Sequence, residues 1–186
     1  MISIKGSVLR TRLAFVEELA PADGPRRVLA RLTARERDVL SSLLASAWYP
    51  FEVGQHLDDA IVQELGGGRA DFFEKLGEAS AEKNLGAGGV HRSFLVPGDP
   101  QAFLAKAPLI YSYYYNEGRR EYEKTGENEA VLTTRDAETF SAPDCLTVVG
   151  WYRCALEMCG AASPRVVEEE CRAKGGAVCR YRLTWR

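Results

Sequence analysis

Up to Gly118 the apolar residues of this chain recur at helical spacing, and beyond it they fall into short runs and alternations. That switch requires helices first and a sheet afterwards. Val8, Leu9, Leu13, Phe15, Val16 and Leu19 give one apolar side to a helix expected over about 5–18, ended by Pro21 and Gly24. A short helical face of Val28, Leu29 and Leu32 follows Pro25. Thr33 is an expected N-cap, with Glu36 three residues on to complete a capping box, for a helix running to about Ser46. Trp48, Tyr49, Pro50 and Phe51 read as an aromatic link. Leu57, Ile61, Val62 and Leu65 then mark a helix that stops at Gly66-Gly67-Gly68. Arg69 and Ala70 follow those glycines, so they lack the Lys-Ser/Thr of a phosphate loop. Phe72, Phe73, Leu76, Ala79 and Leu85 give another helix, and Asp99 or Pro100 starts the next. Its apolar side of Phe103, Leu104, Ala107 and Ile110 runs into four tyrosines between Tyr111 and Tyr115. These cannot share one helical face, so some should line a pocket or meet a partner.

After Gly118, residues 119–124 and 130–134 read as strands joined by a turn around Gly126 to Asn128. A helix from about Cys145 to Met158, capped by Ser141 or Asp144, precedes a hairpin of Val166–Cys171 and Cys179–Trp185. In its last strand Cys179, Tyr181, Leu183 and Trp185 alternate with Arg180, Arg182 and Thr184, one face in and one out. The expected fold class is α+β: N-terminal helices packed against a small antiparallel sheet. A single domain over 1–186 is expected, helical to about 118 and strand, helix and hairpin over 119–186. A doubly wound parallel sheet is disfavoured by the near absence of strand-like segments in the first half.

Lys plus Arg total 24 against 26 Asp plus Glu, a net charge near −2 that gives no general attraction to nucleic acid. Arg26, Arg27, Arg31, Arg35 and Arg37 read as a solvated helix surface. No apolar stretch is long enough to cross a bilayer, so a soluble, cytoplasmic protein is expected. The five cysteines are an odd set within 145–179, with no secretory leader ahead of them, which argues against a framework of secreted disulfides. Reduced thiols are then metal ligands or core residues. His56 and His91 form neither HExxH nor CxxCH, so zinc-protease and attached-haem chemistry have no signal here. The Asp58-Asp59 and Glu168–Glu170 clusters are explained by solvation, capping or structural metal binding.

Cys145 at a helix start, Cys171 at a strand end and Cys179 at the start of the partner strand are placed to converge. Three thiolates with a carboxylate or water suit Zn²⁺, which accepts a tetrahedral sulfur-rich shell. Strict alternation puts Glu168 and Cys171 on opposite faces of the strand. A bulge must therefore intervene if Glu168 is the fourth ligand, with Glu169 or Glu170 as the fallback.

The pattern C-x4-G-x17-E-x2-C-x7-C from Cys145 to Cys179 resembles the zinc-bearing end of the aromatic-effector sensor domains of sigma-54-dependent regulators, which are similar to the four-vinyl-reductase domain family. The resemblance covers about 35 residues. It implies a four-vinyl-reductase-like fold, zinc held by Cys145, Glu168, Cys171 and Cys179, and Gly150 for close helix packing. It also implies a small-molecule pocket between helices and sheet, and often a dimer. The segments Lys5-Gly-Ser-Val-Leu-Arg10, Gly150-Trp-Tyr152 and the closing Cys-x-Tyr-x-x-x-Trp are similar to those of an uncharacterised myxobacterial paralogous family.

The functional expectation is a noncatalytic small-molecule sensor or ligand-binding protein with structural zinc. Its ligand is a small, largely apolar or aromatic molecule held by Tyr111, Tyr114, Tyr115, Trp151 and Tyr152. A homodimer and a signalling protein partner are expected, with neither membrane nor nucleic acid involved. The alternatives are a homo-oligomeric interaction or scaffold protein using Trp48–Phe51 or Tyr111–Tyr115 as an exposed patch, and a metal-dependent enzyme. The last requires an open coordination position.

Overall fold

The computed structural model describes residues 2–138 and 141–186. Strand β1 (Ser3–Lys5) leads into α1 (Gly6–Leu19), α2 (Gly24–Ala30) and α3 (Ala34–Ser41), then β2 (Trp48–Pro50), α4 (Phe51–Leu65) and α5 (Phe73–Leu85). Next come α6 (Pro100–Leu104), α7 (Ala107–Tyr114), the β3 (Arg119–Gly126) and β4 (Glu129–Arg135) hairpin, α8 (Ala142–Met158), β5 (Arg165–Glu170) and β6 (Cys179–Thr184). Strands β1 and β2 pair antiparallel, Ser3 opposite Pro50. The remaining four form an antiparallel sheet in the order β3-β4-β6-β5.

Two differences from the sequence expectation have local causes. Trp48–Pro50 is a strand, not a link: three residues are too few for alternation to register. The Thr33-capped helix has its capping box but ends at Ser41, not near Ser46. Residues beyond it must leave the helix because the Ala47 and Ala45 carbonyls accept the amides of Gly6 and Ser7, the otherwise unpaired donors at the start of α1.

The interior has two apolar clusters. One joins β1 to the first helices through Leu9, Val16, Leu57, Ile61, Phe73 and Leu76. The other wraps α8 with α6, α7 and the sheet through Phe103, Leu132, Trp151, Tyr152, Tyr181 and Leu183. Helix α5 lies directly on α8, because a Cβ at Gly77 would stand 2.1 Å from the Thr147 carbonyl oxygen and one at Gly150 would stand 1.8 Å from that of Glu74. Two missing side chains thus let two backbones touch. A buried ion cluster also spans the clusters. Arg12 of α1 donates to Asp58 of α4 at 2.7 Å and to Asp144 of α8 at 2.5 Å. The Tyr115 hydroxyl, past the end of α7, donates to Asp144 at 2.8 Å. Asp58, read from sequence as a solvated or capping carboxylate, is in fact buried in this cluster.

Candidate functional site

Two sites share helix α8. At its first turn Cys145 faces Cys171, which follows β5, and Cys179, which opens β6; the three buried sulfurs all lie within 4.8 Å of one another. The Cys145 and Cys179 sulfurs are 3.7 Å apart, close to the ~3.8 Å edge of a tetrahedron with 2.3 Å metal–sulfur bonds. This is a buried three-cysteine cluster able to hold a metal ion.

Glu168 stands beside it. The pairing of β5 with β6 slips between Glu168, opposite Tyr181, and Glu170, opposite Arg180, leaving Glu169 as the extra residue of a bulge. That residue reverses the parity of the strand, so Glu168 and Cys171 share a face. One Glu168 oxygen accepts from Lys174 Nζ at 2.5 Å, whereas Oε1 is buried with no hydrogen-bond partner. The two fallback carboxylates are occupied elsewhere. Glu169 pairs with Arg182, and Glu170 caps the turn by accepting from the Ala177 amide at 2.7 Å. Hydrogen bonding from the Cys145 thiol lowers Cys179 to about 7 and pulls Cys171 down as well. Cys145, the donor to both, is raised well above the ordinary thiol range. Cys154 and Cys159 are buried in the core apart from this cluster.

One helical turn further along α8, a cavity of about 70 Å³ opens between α1, α5, α7, α8 and β3. Tyr111, Tyr114, Tyr115, Trp151 and Tyr152 all line it, with Val8, Leu76, Ile110 and Val148 completing its apolar wall. The tyrosines divide by what their hydroxyls do. Tyr111 donates to the Glu117 carbonyl at 2.7 Å and Tyr115 to Asp144, so both serve the framework. The Tyr114 and Tyr152 hydroxyls are buried and neither donates to an acceptor; burial raises both phenols above their ordinary range, opposed at Tyr152 by the neighbouring Arg120 guanidinium.

Arg120 of β3 also lines the cavity, a residue the sequence reading did not single out. It is buried, and its Nε donates to Thr134 Oγ1 at 3.1 Å. Its guanidinium carbon stands 5.1 Å from the ring centre of Tyr111 and 5.7 Å from those of Tyr152 and Tyr181. Among the described residues no carboxylate pairs with it. The signal was one position of strand parity: Arg119 points out, Arg120 in. No carboxylate, imidazole or thiol lines the cavity, so it holds no nucleophile with a base beside it.

The other candidates lie apart. Trp48 is exposed under the Lys5 ammonium, 3.8 Å from its ring centre. His56 pairs with Glu36 on the surface. His91 is buried against Phe94, Tyr113 and Tyr114, outside the cavity lining.

Residues 37–186 match the family model described as "Protein of unknown function (DUF2378)", well over half the chain. The chain belongs to the DUF2378 family. No curated protein matches its sequence. Among solved structures it is similar to an H-NOX protein from S. oneidensis in the Fe(II)NO ligation state, with a TM-score of 0.73 at 12% identity, over 98% of this chain and 99% of that one. An Fe(II) unliganded H-NOX protein from K. algicida gives 0.70 at 13% identity over 98% and 96%. A T. tengcongensis H-NOX variant gives 0.71 at 10% over 98% and 97%. This DUF2378 chain therefore has the H-NOX fold, and the four-vinyl-reductase-like assignment is wrong. The resemblance rested on a short ending, and a bulged strand that gathers thiols can be built on more than one scaffold. With that assignment goes the family's warrant for zinc, which leaves the three thiols and Glu168 as the grounds for a metal.

Structures of this fold are described with iron, and some for the distortion of their haem. The residues of this chain do not fit that group. Among the described residues the cavity lining supplies no His, Cys or Met as an axial ligand; the Tyr111 and Tyr115 hydroxyls are committed to Glu117 and Asp144, and burial holds the other two, Tyr114 and Tyr152, as protonated phenols and not the phenolates that ligate iron. Its 70 Å³ is far below the roughly 300 Å³ at which cofactor pockets begin. Two of its walls, α5 and α8, are held backbone to backbone at Gly77 and Gly150.

Proposed function

We propose that this DUF2378 protein is a noncatalytic sensor in which a small, largely apolar molecule occupies the cavity on α8, while a metal ion on Cys145, Glu168, Cys171 and Cys179 fixes the same helix to the β5–β6 hairpin. The observation that carries the reading is the meeting of an apolar wall with two tyrosine hydroxyls that lack acceptors in one half-open cavity. Apolar walls supply affinity and the hydroxyls orientation. Three sulfurs, one carboxylate and a buried setting favour Zn²⁺ in a closed, structural shell. Thiols kept reduced for that purpose suit the cytoplasm. A ligand pressing on Val148, Trp151 and Tyr152 acts on a helix whose first turn is anchored, so its response is directed to the far end. The recipient is a second copy of the chain or a signalling protein.

The test is thermal unfolding of the purified chain with n-butanol or benzene as neutral probes. Several degrees of stabilisation are expected, and none in Val8→Phe, which fills the cavity from a half-buried position. Equal shifts in both proteins place the probes elsewhere and remove the reading.

A further inference from the structure

Arg120 is the one guanidinium lining the cavity whose charge no described carboxylate meets. Arg12, the other arginine there, is held between Asp58 and Asp144. Burying a cation without a counter-charge is costly, and proteins avoid it unless a partner arrives. Three tyrosine rings offset part of that cost, and Thr134 takes one of five N–H groups. The Tyr152 hydroxyl oxygen stands beside another, and no described carboxylate pairs with the rest. Close by, Tyr114 and Tyr152 present two further hydroxyls without acceptors. Donors without acceptors, lining one largely apolar cavity, describe the complement of an anion with an apolar body.

We infer that Arg120, Tyr114 and Tyr152 form the recognition site for the carboxylate of a small organic acid whose apolar part lies against Val8, Leu76, Ile110 and Val148. This rests on the sensor reading above and narrows its ligand class. A carboxylate is favoured over an oxoanion on geometry. The planar guanidinium fork matches two coplanar oxygens, and the two hydroxyls serve their remaining lone pairs. Phosphate or sulfate brings further oxygens that the apolar wall cannot satisfy. The small volume, about 70 Å³, favours a short chain or a single small ring as the body.

The experiment is calorimetric titration of the full chain with butyrate and benzoate, each against its amide, butyramide and benzamide. The acid is expected to bind at least about tenfold more tightly than its amide, since it adds charge-assisted bonds the amide lacks. Arg120→Gln should bring the acid down to the amide's affinity, and Arg120→Lys should keep part of the preference by retaining charge without the fork. Tyr114→Phe removes a hydroxyl that bonds to nothing in the protein, so it should fold normally and cost the acid about tenfold, with the amide little changed. If Arg120→Gln does not fold, Arg120→Lys and Tyr114→Phe decide. Equal binding of acid and amide, or an acid preference unmoved by these variants, overturns the carboxylate site and leaves the apolar cavity reading standing. If no acid, amide or neutral probe binds, both readings fall.

Discussion

Arg12 shows what a single residue can hold together. Its guanidinium is buried between two carboxylates, so the cluster carries one negative charge too many. Burial, with Asp144 adding to it and Arg12 opposing, raises Asp58 from 3.8 to about 6. A carboxyl whose folded pKa lies above its unfolded one binds its proton more tightly in the native state, so stability falls as pH rises from about 4 to about 6 and is level above. Asp58→Asn should flatten that slope, measurable by urea unfolding across the range, and should cost little near neutrality because Arg12 and Asp144 then form a one-to-one pair. Arg12→Leu strands two buried anions and should cost about 3–5 kcal/mol in the same assay. None of this was legible beforehand. Asp58 sits next to Asp59, and a pair of acids on a helix ordinarily marks a solvated face. Arg120 was hidden for the same reason, a charge among charges, whereas the tyrosines announced themselves by crowding.

Among the elements, α8 is where sequence and structure agree most and where their disagreement is most instructive. Ser141 caps it by accepting the Asp144 amide, as its position suggested. Cys145, Cys171 and Cys179 converge, and the bulge that Glu168 needed is present at Glu169. Alternation alone could not place that bulge, because its location depends on which β6 residues pair on either side. Purified under reducing conditions, the chain should carry about one zinc per molecule by elemental analysis, as a closed S3O site requires. Cys171→Ser combined with Cys179→Ser should lose the metal, and Glu168→Gln should weaken it. A metal-free wild-type protein would end the structural zinc proposal. Gly77 carries a second lesson. It reads as an ordinary weak point in a helix, yet it is the contact that seats α5 on α8. Gly77→Ala gains roughly 1 kcal/mol of helix propensity but drives a methyl against the Thr147 carbonyl. With ~1–3 kcal/mol or more lost to overpacking, a net fall in melting temperature is expected, and a rise would show that the helices can part.

For the molecule as a whole, the order of helices, hairpin, helix and hairpin was readable, but which scaffold it builds was not. At 12% identity to an H-NOX protein, the shared fold lies in the arrangement of elements, and residue patterns do not carry it. The same divergence bears on the cofactor. A fold can persist while its interior is refilled, since packing tolerates any side chains that conserve volume and pattern. Here the space on α8 is filled by tyrosines and Trp151, with a buried arginine, and no imidazole borders it. The one buried histidine, His91, lies behind Tyr114 in contact with its ring, and burial lowers its proton affinity without turning it toward the cavity. Expressed with added iron and haem precursor, the protein should therefore purify without a Soret band. Haemin titrated into it should give only the weak, featureless spectrum of surface association. His91→Ala should leave that spectrum unchanged. A stoichiometric Soret band that shifts on His91→Ala would mean that α7 can swing Tyr114 aside, and the cavity would then have to be redrawn around an iron ligand.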